Sequence, residues 1–330
     1  MKKICTIIIN SSLLIFNYTP ASAQLNWKNV DSLYQPLPAS VHVYKTTDLL
    51  DGKPNIAYCV IADLKDKKVL FDTDTTFQRR LTPAQFYIKN KQPLVVVNCT
   101  FFSFETNKNL NVVIKNGKQL GYNIHVVPGR GKDTLTYRHP YKSAIGITKK
   151  RNADIAWIYS DSAKKTSYAM QLPMEPLKDS INHLSFDKAI YTTSIAQHGA
   201  SFPTLKKWEM KTAVGGGPVL LQSGEIRITN NEEMMFAGKA INDKHPRTAM
   251  GYTKDNKIII LAVQGRFPGL AEGATLEQEA RILKDLGCWE ALNLDGGGSS
   301  CLLVNGKETI KPSDAVGQRS VPAVFLIRNR

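Results

Sequence analysis

The chain has 330 residues, 42% of them hydrophobic, with 43 Lys and Arg against 28 Asp and Glu and a formal net charge of +15. That apolar content is ample for a folded core and excludes a disordered chain. The charge favours anionic partners such as phosphates, acidic glycans or membrane surfaces, but the basic residues are scattered, with no long block and no interleaving with aromatics, so no nucleic acid is expected.

Residues 1–23 read as a secretory signal peptide: a basic MKK start, the apolar stretch ICTIIINSSLLIF, and an Ala-x-Ala site in PASAQ with cleavage after Ala23. No other stretch approaches the ~20 apolar residues that span a bilayer. The expected protein is therefore exported, periplasmic or extracellular, with no transmembrane segment. Residues 24–50, mixed in composition with prolines at 36 and 38, read as a lead-in, and 51–330 as one domain.

From Ile56 onward short apolar runs alternate with turn signals. IAYCVIADL (56–64) and KKVLFD (67–72) read as a first hairpin. TPAQFYIKNK (82–91) reads as a helix capped by Thr82 with Pro83 at its first position, and LVVV (94–97) as a buried strand. A pattern then recurs three times: VVVNCTFFSF leading to NVVIKNGK, AVGGGPVLLQSGE at 213–225, and LNLDGGGSSCLLVNGK at 292–307. Each is an apolar run, a break (at Asn98, Gly215–Gly217 or Asp295–Gly298), a second apolar run and a Gly-containing turn of the hairpin kind. A weaker echo joins KSAIGITKK (142–150) to RTAMGYTKD (247–255), either chance or two similar hairpins.

Near the C-terminus KIIILAVQGR (257–266) reads as a strand, TLEQEARILKDLG (275–287) as a helix with a Thr275–Gln278 capping box, and ALNLD (291–295) as the next strand. Strand, helix, strand predicts a parallel crossover. The expected fold is α+β: a mixed, largely antiparallel β-sheet core with a few helices and at least one β-α-β crossover near the C-terminus.

Chemistry concentrates at the breaks. Consecutive glycines at a strand end can aim backbone N–H groups at one point and bind an anion. Ser299 and Ser300 add hydroxyls, and Asp295 stands beside them where sheet-end sites form. Arg247 opens one strand in HPRTAMG and Arg266 closes another in VQGR, each offering a planar fork to a phosphate, or else a plain surface charge. His245 reads equally as acid, base or polar loop residue. The histidines show no metal-binding spacing, and neither do Cys59, Cys99, Cys288 and Cys301. Cys99 and Cys301 each follow a strand-like run and either meet in a disulfide or stay as buried thiols. No P-loop, G-x-G-x-x-G or G-x-S-x-G motif is present.

The blocks ALNLDGGGSS, VGGGPVLLQSGE, HPRTAMGYTKDNKIIILAVQGR and VNCTFFSF…VVIKNGK, with the closing GQRSVPAVFLI, resemble the phosphodiester glycosidase family in family order over about residues 90–328. Two positions depart from it: Gln264 and Gln278 stand where many relatives carry carboxylates. The resemblance implies an enzyme that hydrolyses a sugar-1-phosphodiester at the sugar side, with α-N-acetylglucosamine as the family's sugar. It implies a phosphate held by Arg247, Arg266 and the glycines Gly216, Gly217, Gly297 and Gly298. Asp295 would stabilise the sugar cation, attack it or activate water, helped by His245 or Glu272, while Asn98 and Ser299 hold sugar hydroxyls. No particular cofactor is predicted, and the oxygens of Asp295 and Asn98 leave room for a divalent cation. The alternatives are a non-catalytic glycan- or sugar-phosphate-binding protein on the same scaffold, and an esterase that cuts P–O instead of C–O.

Overall fold

The computed structural model describes residues 24–129, 131–179 and 205–330. The expected signal peptide lies outside them. Three antiparallel sheets carry the fold. The largest has the order β1 (Lys28–Asn29), β2 (Val41–Thr46), β3 (Ala57–Asp63), β18 (Lys257–Val263), β17 (Arg247–Tyr252), β19 (Glu290–Asn293), β15 (Val219–Gln222), β16 (Glu225–Ile226). A seven-stranded sheet runs β13 (Lys206–Lys207), β12 (Thr166–Met170), β11 (Ala153–Asp161), β10 (Lys142–Ile147), β14 (Thr212–Gly215), β6 (Val113–Lys115), β7 (Lys118–Gly121). A five-stranded sheet runs β21 (Lys307–Glu308), β20 (Leu302–Val304), β5 (Val95–Asn98), β22 (Ala323–Asn329), β4 (Val69–Thr75). A two-stranded ribbon, β8 (Val127–Pro128) with β9 (Tyr137–Arg138), stands apart.

One core, fed by all three sheets, lies between their inner faces, and the period-2 alternation of strand side chains explains it. In β3, Tyr58, Val60 and Ala62 enter that core, while Ala57 and Cys59 enter a second cluster on the outer face of the large sheet. β18 divides the same way, with Ile258, Ile260 and Ala262 inward and Ile259, Leu261 and Val263 outward. The Leu276–Asp285 helix covers that outer face with Leu276, Ala280 and Leu283. The Pro83–Lys89 helix covers the five-stranded sheet with Phe86. Both helices start with the expected caps: the Thr82 and Thr275 hydroxyls accept from the amides of Gln85 and Gln278, whose side chains bond back. A third helix, Asn230–Glu233, is a single turn.

All three Gly-containing turns are tight hairpins. Asn116–Gly117, Ser223–Gly224 and Asn305–Gly306 each hold two successive positive φ angles, 51° and 76°, 54° and 83°, 47° and 76°, the geometry that matches strand twist. The echo also has a structural meaning. β10 sits between β11 and β14 as β17 sits between β18 and β19, and a glycine break follows β14 and β19 alike.

Other expectations are corrected. β3 and β4 do not form a hairpin: β3 pairs with β2 and β18, and β4 pairs with β22 in another sheet. β18 and β19 are not neighbours: β17 lies between them, antiparallel to both, so they point the same way without pairing. Cys99 and Cys301 are free thiols, as are Cys59 and Cys288. Val97 faces Leu302 in the β5–β20 ladder, so residues 99 and 301 fall on opposite faces, Cys99 in the central core and Cys301 under the Pro83–Lys89 helix. Among the described residues no helix is long and apolar enough to cross a membrane.

Candidate active site

The loop after β19 is threaded between the ends of β17 and β5. Leu294 N–H donates to Thr248 O at 2.7 Å, Asp295 N–H to Cys99 O at 2.8 Å and Gly297 N–H to Pro246 O at 2.8 Å. Asn98 locks it. Its Nδ2 donates to Asp295 O at 2.5 Å, and its Oδ1 accepts from Thr248 Oγ1 and Cys301 N, both at 3.0 Å. Asn98 is fully buried, so it fixes the loop instead of meeting a sugar hydroxyl. Its oxygen, already accepting two hydrogen bonds, is also no ligand for the cation considered above. Among the described residues no three His, Cys, Asp or Glu side chains are grouped to hold a metal.

The fixed loop presents Asp295. Ser299 and the Gly296 amide bond to its carboxyl, yet Oδ2 is buried without a partner. Burial pushes the pKa up to about 7 against the pull of Ser299, Arg319 and Gly296. Arg319, which sequence reasoning missed, donates to Asp314 at 2.6 Å, lies 3.5 Å from Ser299 Oγ and covers Gly298 so closely that a Cβ there would collide with its guanidinium. On the other side Arg266 meets Gly297, where a Cβ would come within 2.9 Å of Nη2. The same Nη2 reaches His245 Nδ1 at 3.4 Å. Arginine only donates, so Nδ1 accepts and the imidazole proton sits on Nε2. Burial, then Arg247 and Arg266, hold His245 below its ordinary pKa and therefore neutral at pH 7. Glu272 lies behind Arg266, its amide on Pro54 O and its carboxylate 3.5 Å from Lys244 Nζ.

The structure thus brings together Asp295, Ser299, Gly297, Gly298, Arg266 and His245, and adds Arg319. It uses the other expected residues differently. Arg247 is buried, with Nε on Ala274 O at 2.8 Å, Nη2 on Asp243 O at 2.9 Å and its plane over Phe236. The amides of Gly216 and Gly217 do not face an anion: they donate to Ser143 O at 3.0 Å and Asn293 O at 2.8 Å. Gly297 N–H is taken by Pro246 O, as above. Gln264 accepts from Lys311 N at 2.8 Å, and Gln278 both caps its helix and donates to Asp51 at 2.8 Å.

Of the glycines at 215–217, Gly215 packs against Asn111 and Gly216 against Asn293 O, while Gly217 answers to Glu233. This buried carboxylate accepts from Val219 N (2.9 Å), Thr229 Oγ1 (2.6 Å) and Trp157 Nε1 (3.1 Å), and from the amide and hydroxyl of Ser143 (2.8 Å each). Any Cβ on Gly217 would run into Oε2. Burial pushes the Glu233 pKa up against the hydrogen bonds from Thr229, Val219 and Ser143. Lys142 donates to Glu233 O and Met234 O, and burial draws its pKa down to about 8.

Glu279 is the second buried acid that went unrecognised. It lies on the covered face of its helix, neither carboxyl oxygen has a partner among the described residues, and burial lifts its pKa to about 8 despite Arg247. The native state therefore holds a proton that the unfolded chain gives up above about 4.5. That stability is complete below pH 4.5 and is lost as pH rises through 8. Relative to Glu279→Gln, the wild type is expected to lose on the order of 1 kcal/mol per pH unit across that window. Urea unfolding of both proteins at pH 5 and pH 8 measures it, and an equal gap at both pH values refutes it.

The chain is similar to known proteins in sequence and in fold. Residues 178–328 match the phosphodiester glycosidase family model. An 86-residue stretch is 38% identical to the SPbeta prophage-derived protein YomE of Bacillus subtilis, and 99 residues are 29% identical to mouse N-acetylglucosamine-1-phosphodiester alpha-N-acetylglucosaminidase. These cover 26% and 30% of this chain but only 13% and 19% of the relatives. The fold is similar to that of the zebrafish N-acetylglucosamine-1-phosphodiester alpha-N-acetylglucosaminidase catalytic domain, auto-inhibited by its pro-peptide, with TM-score 0.52 and 20% identity over 93% of this chain and 89% of that one. The span that matches the phosphodiester glycosidase family model, residues 178–328, holds Asp295, Arg266 and Arg319.

Proposed function

We propose that the chain is an exported hydrolase that cleaves a sugar-1-phosphodiester, with α-N-acetylglucosamine as the sugar, at the sugar C–O bond to release free sugar and a phosphomonoester. The observation that carries this reading is the Asp295 carboxyl: one oxygen buried and unpartnered, within the field of Arg319, on a loop whose Gly297 and Gly298 meet the guanidinium groups of Arg266 and Arg319. A phosphodiester leaves as a stable anion, so the demand on the site is less for a strong acid than for positive charge around the departing oxygens. Arg266 and Arg319 supply it at the glycine loop. Ionised Asp295 then faces the sugar carbon, as nucleophile, as cation stabiliser or as base for water, and neutral His245 is placed to carry a proton. The signal-peptide pattern supports export.

The test is turnover of the methyl ester of α-N-acetylglucosamine 1-phosphate in heavy-oxygen water. Label in the sugar hydroxyl is the expected result. Label in the phosphate makes the protein a P–O esterase. Tight binding of the ester without turnover makes it a binding protein.

A further inference from the structure

Beyond Arg319 the basic rim continues onto an aromatic platform. Phe104 is 63% exposed, unusual for a phenyl ring beside a buried site. It is held against the buried ring of Phe102, centroids 4.8 Å apart, and flanked by two guanidinium groups, Arg319 at 5.4 Å and Arg80 at 5.3 Å. Arg80 also lies 5.2 Å from Phe102. Reciprocal backbone bonds between Leu81 and Val321, 3.0 and 2.8 Å, hold the two arginine segments together. Asp314 partly neutralises Arg319, but among the described residues no carboxylate pairs with Arg80. Ring faces attract the cations and the ring edge is itself electropositive, so the exposed edge of Phe104 between two guanidinium groups is a cradle for an anion. Contacts link Asp295 to Ser299, Ser299 to Arg319, Arg319 to Phe104 and Phe104 to Arg80, so the cradle is joined to the carboxyl through Arg319.

We propose that Arg80 and Phe104, with Arg319, form a second anion subsite on the leaving-group side, and that the preferred substrate is a sugar joined to a diphosphate. The inference rests on the hydrolase reading for its orientation, but not for its test, which needs no turnover. Calorimetric titration of the full chain with inorganic phosphate and with pyrophosphate compares the ligands directly. The wild type is expected to bind pyrophosphate ~10-fold more tightly than phosphate, one charge-assisted contact's worth. Arg80→Ala should weaken pyrophosphate ~10-fold and phosphate no more than ~2-fold, with Arg80→Lys between, since lysine keeps the charge but not the planar stacking. Phe104→Ala, which removes the platform and no charge, should act in the same direction. No preference for pyrophosphate in the wild type, no binding of either ion, or equal losses for both in Arg80→Ala overturns the subsite. Failure to hydrolyse the methyl ester overturns the hydrolase reading alone. If the subsite stands, KM values for a nucleotide diphosphate sugar and a farnesyl diphosphate sugar separate a nucleotide source from a lipid one.

Discussion

Asp295→Asn is expected to lower kcat/KM for a sugar-1-phosphodiester by at least ~100-fold, a loss of about 2.7 kcal/mol of transition-state stabilisation. The substitution keeps the shape of the side chain and removes only its charge. Because burial raises the Asp295 pKa to about 7, the wild-type rate should rise with pH through that value as the carboxylate forms. The stability of the variant should move the other way. The folded-state pKa lies above the unfolded value of 3.8, so the proton stabilises the native state at low pH, and that contribution is lost as pH rises through 7. Asparagine has no such loss. At pH 8 the variant should be more stable than the wild type by on the order of 2 kcal/mol, less than the full shift implies because the residue is not wholly shut from solvent. Kinetics and urea unfolding on the same preparations decide it. Lower activity with higher stability marks a functional carboxylate, whereas losses in both would mark a structural one.

Glu233→Ala should have the largest effect on the fold. It strands the donors of Val219, Thr229, Trp157 and Ser143 and leaves buried Lys142 without its nearest opposite charge. Removing one partner of such a network costs about 3–5 kcal/mol, a large share of the 5–15 kcal/mol typical of whole proteins. In a chain of this size that corresponds to a Tm lower by on the order of 10 °C. Glu233→Gln should recover only part of it, since its amide nitrogen meets donors where an acceptor is needed. Thermal unfolding within about 2 °C of the wild type in Glu233→Ala would show that the cradle contributes little.

What the sequence revealed was local. The hairpins at Asn116–Gly117, Ser223–Gly224 and Asn305–Gly306 and the caps at Thr82 and Thr275 depend on a few adjacent residues, and each formed. Partner choice was hidden. IAYCVIADL is buried on both faces, so its pattern names no neighbour, and β3 pairs with a strand about 200 residues further on. The two glycine triplets looked alike but differ in cause: in one, Gly217 gives way to the Glu233 carboxylate, and in the other Gly297 and Gly298 lie under Arg266 and Arg319. Glu233 was invisible because its donors lie up to 90 residues away. Arg319 lies in the closing GQRSVPAVFLI block, read only as a strand, and only its place in space brings it to Gly298. Glu279 had one readable sign, an acid on the apolar face of its helix.

Asn98 belongs to two sheets at once, ending β5 while bonding Thr248 of β17 and the backbone of the glycine loop. None of those bonds involves the side chains of Arg80, Phe104 or His245. What the rim accepts can therefore drift without unseating the loop beneath it. A library that varies those three rim positions should retain folded, loop-competent proteins at high frequency, whereas one aimed at 98, 248 and 300 should lose them together. The molecule is built to be retargeted from its edge inward.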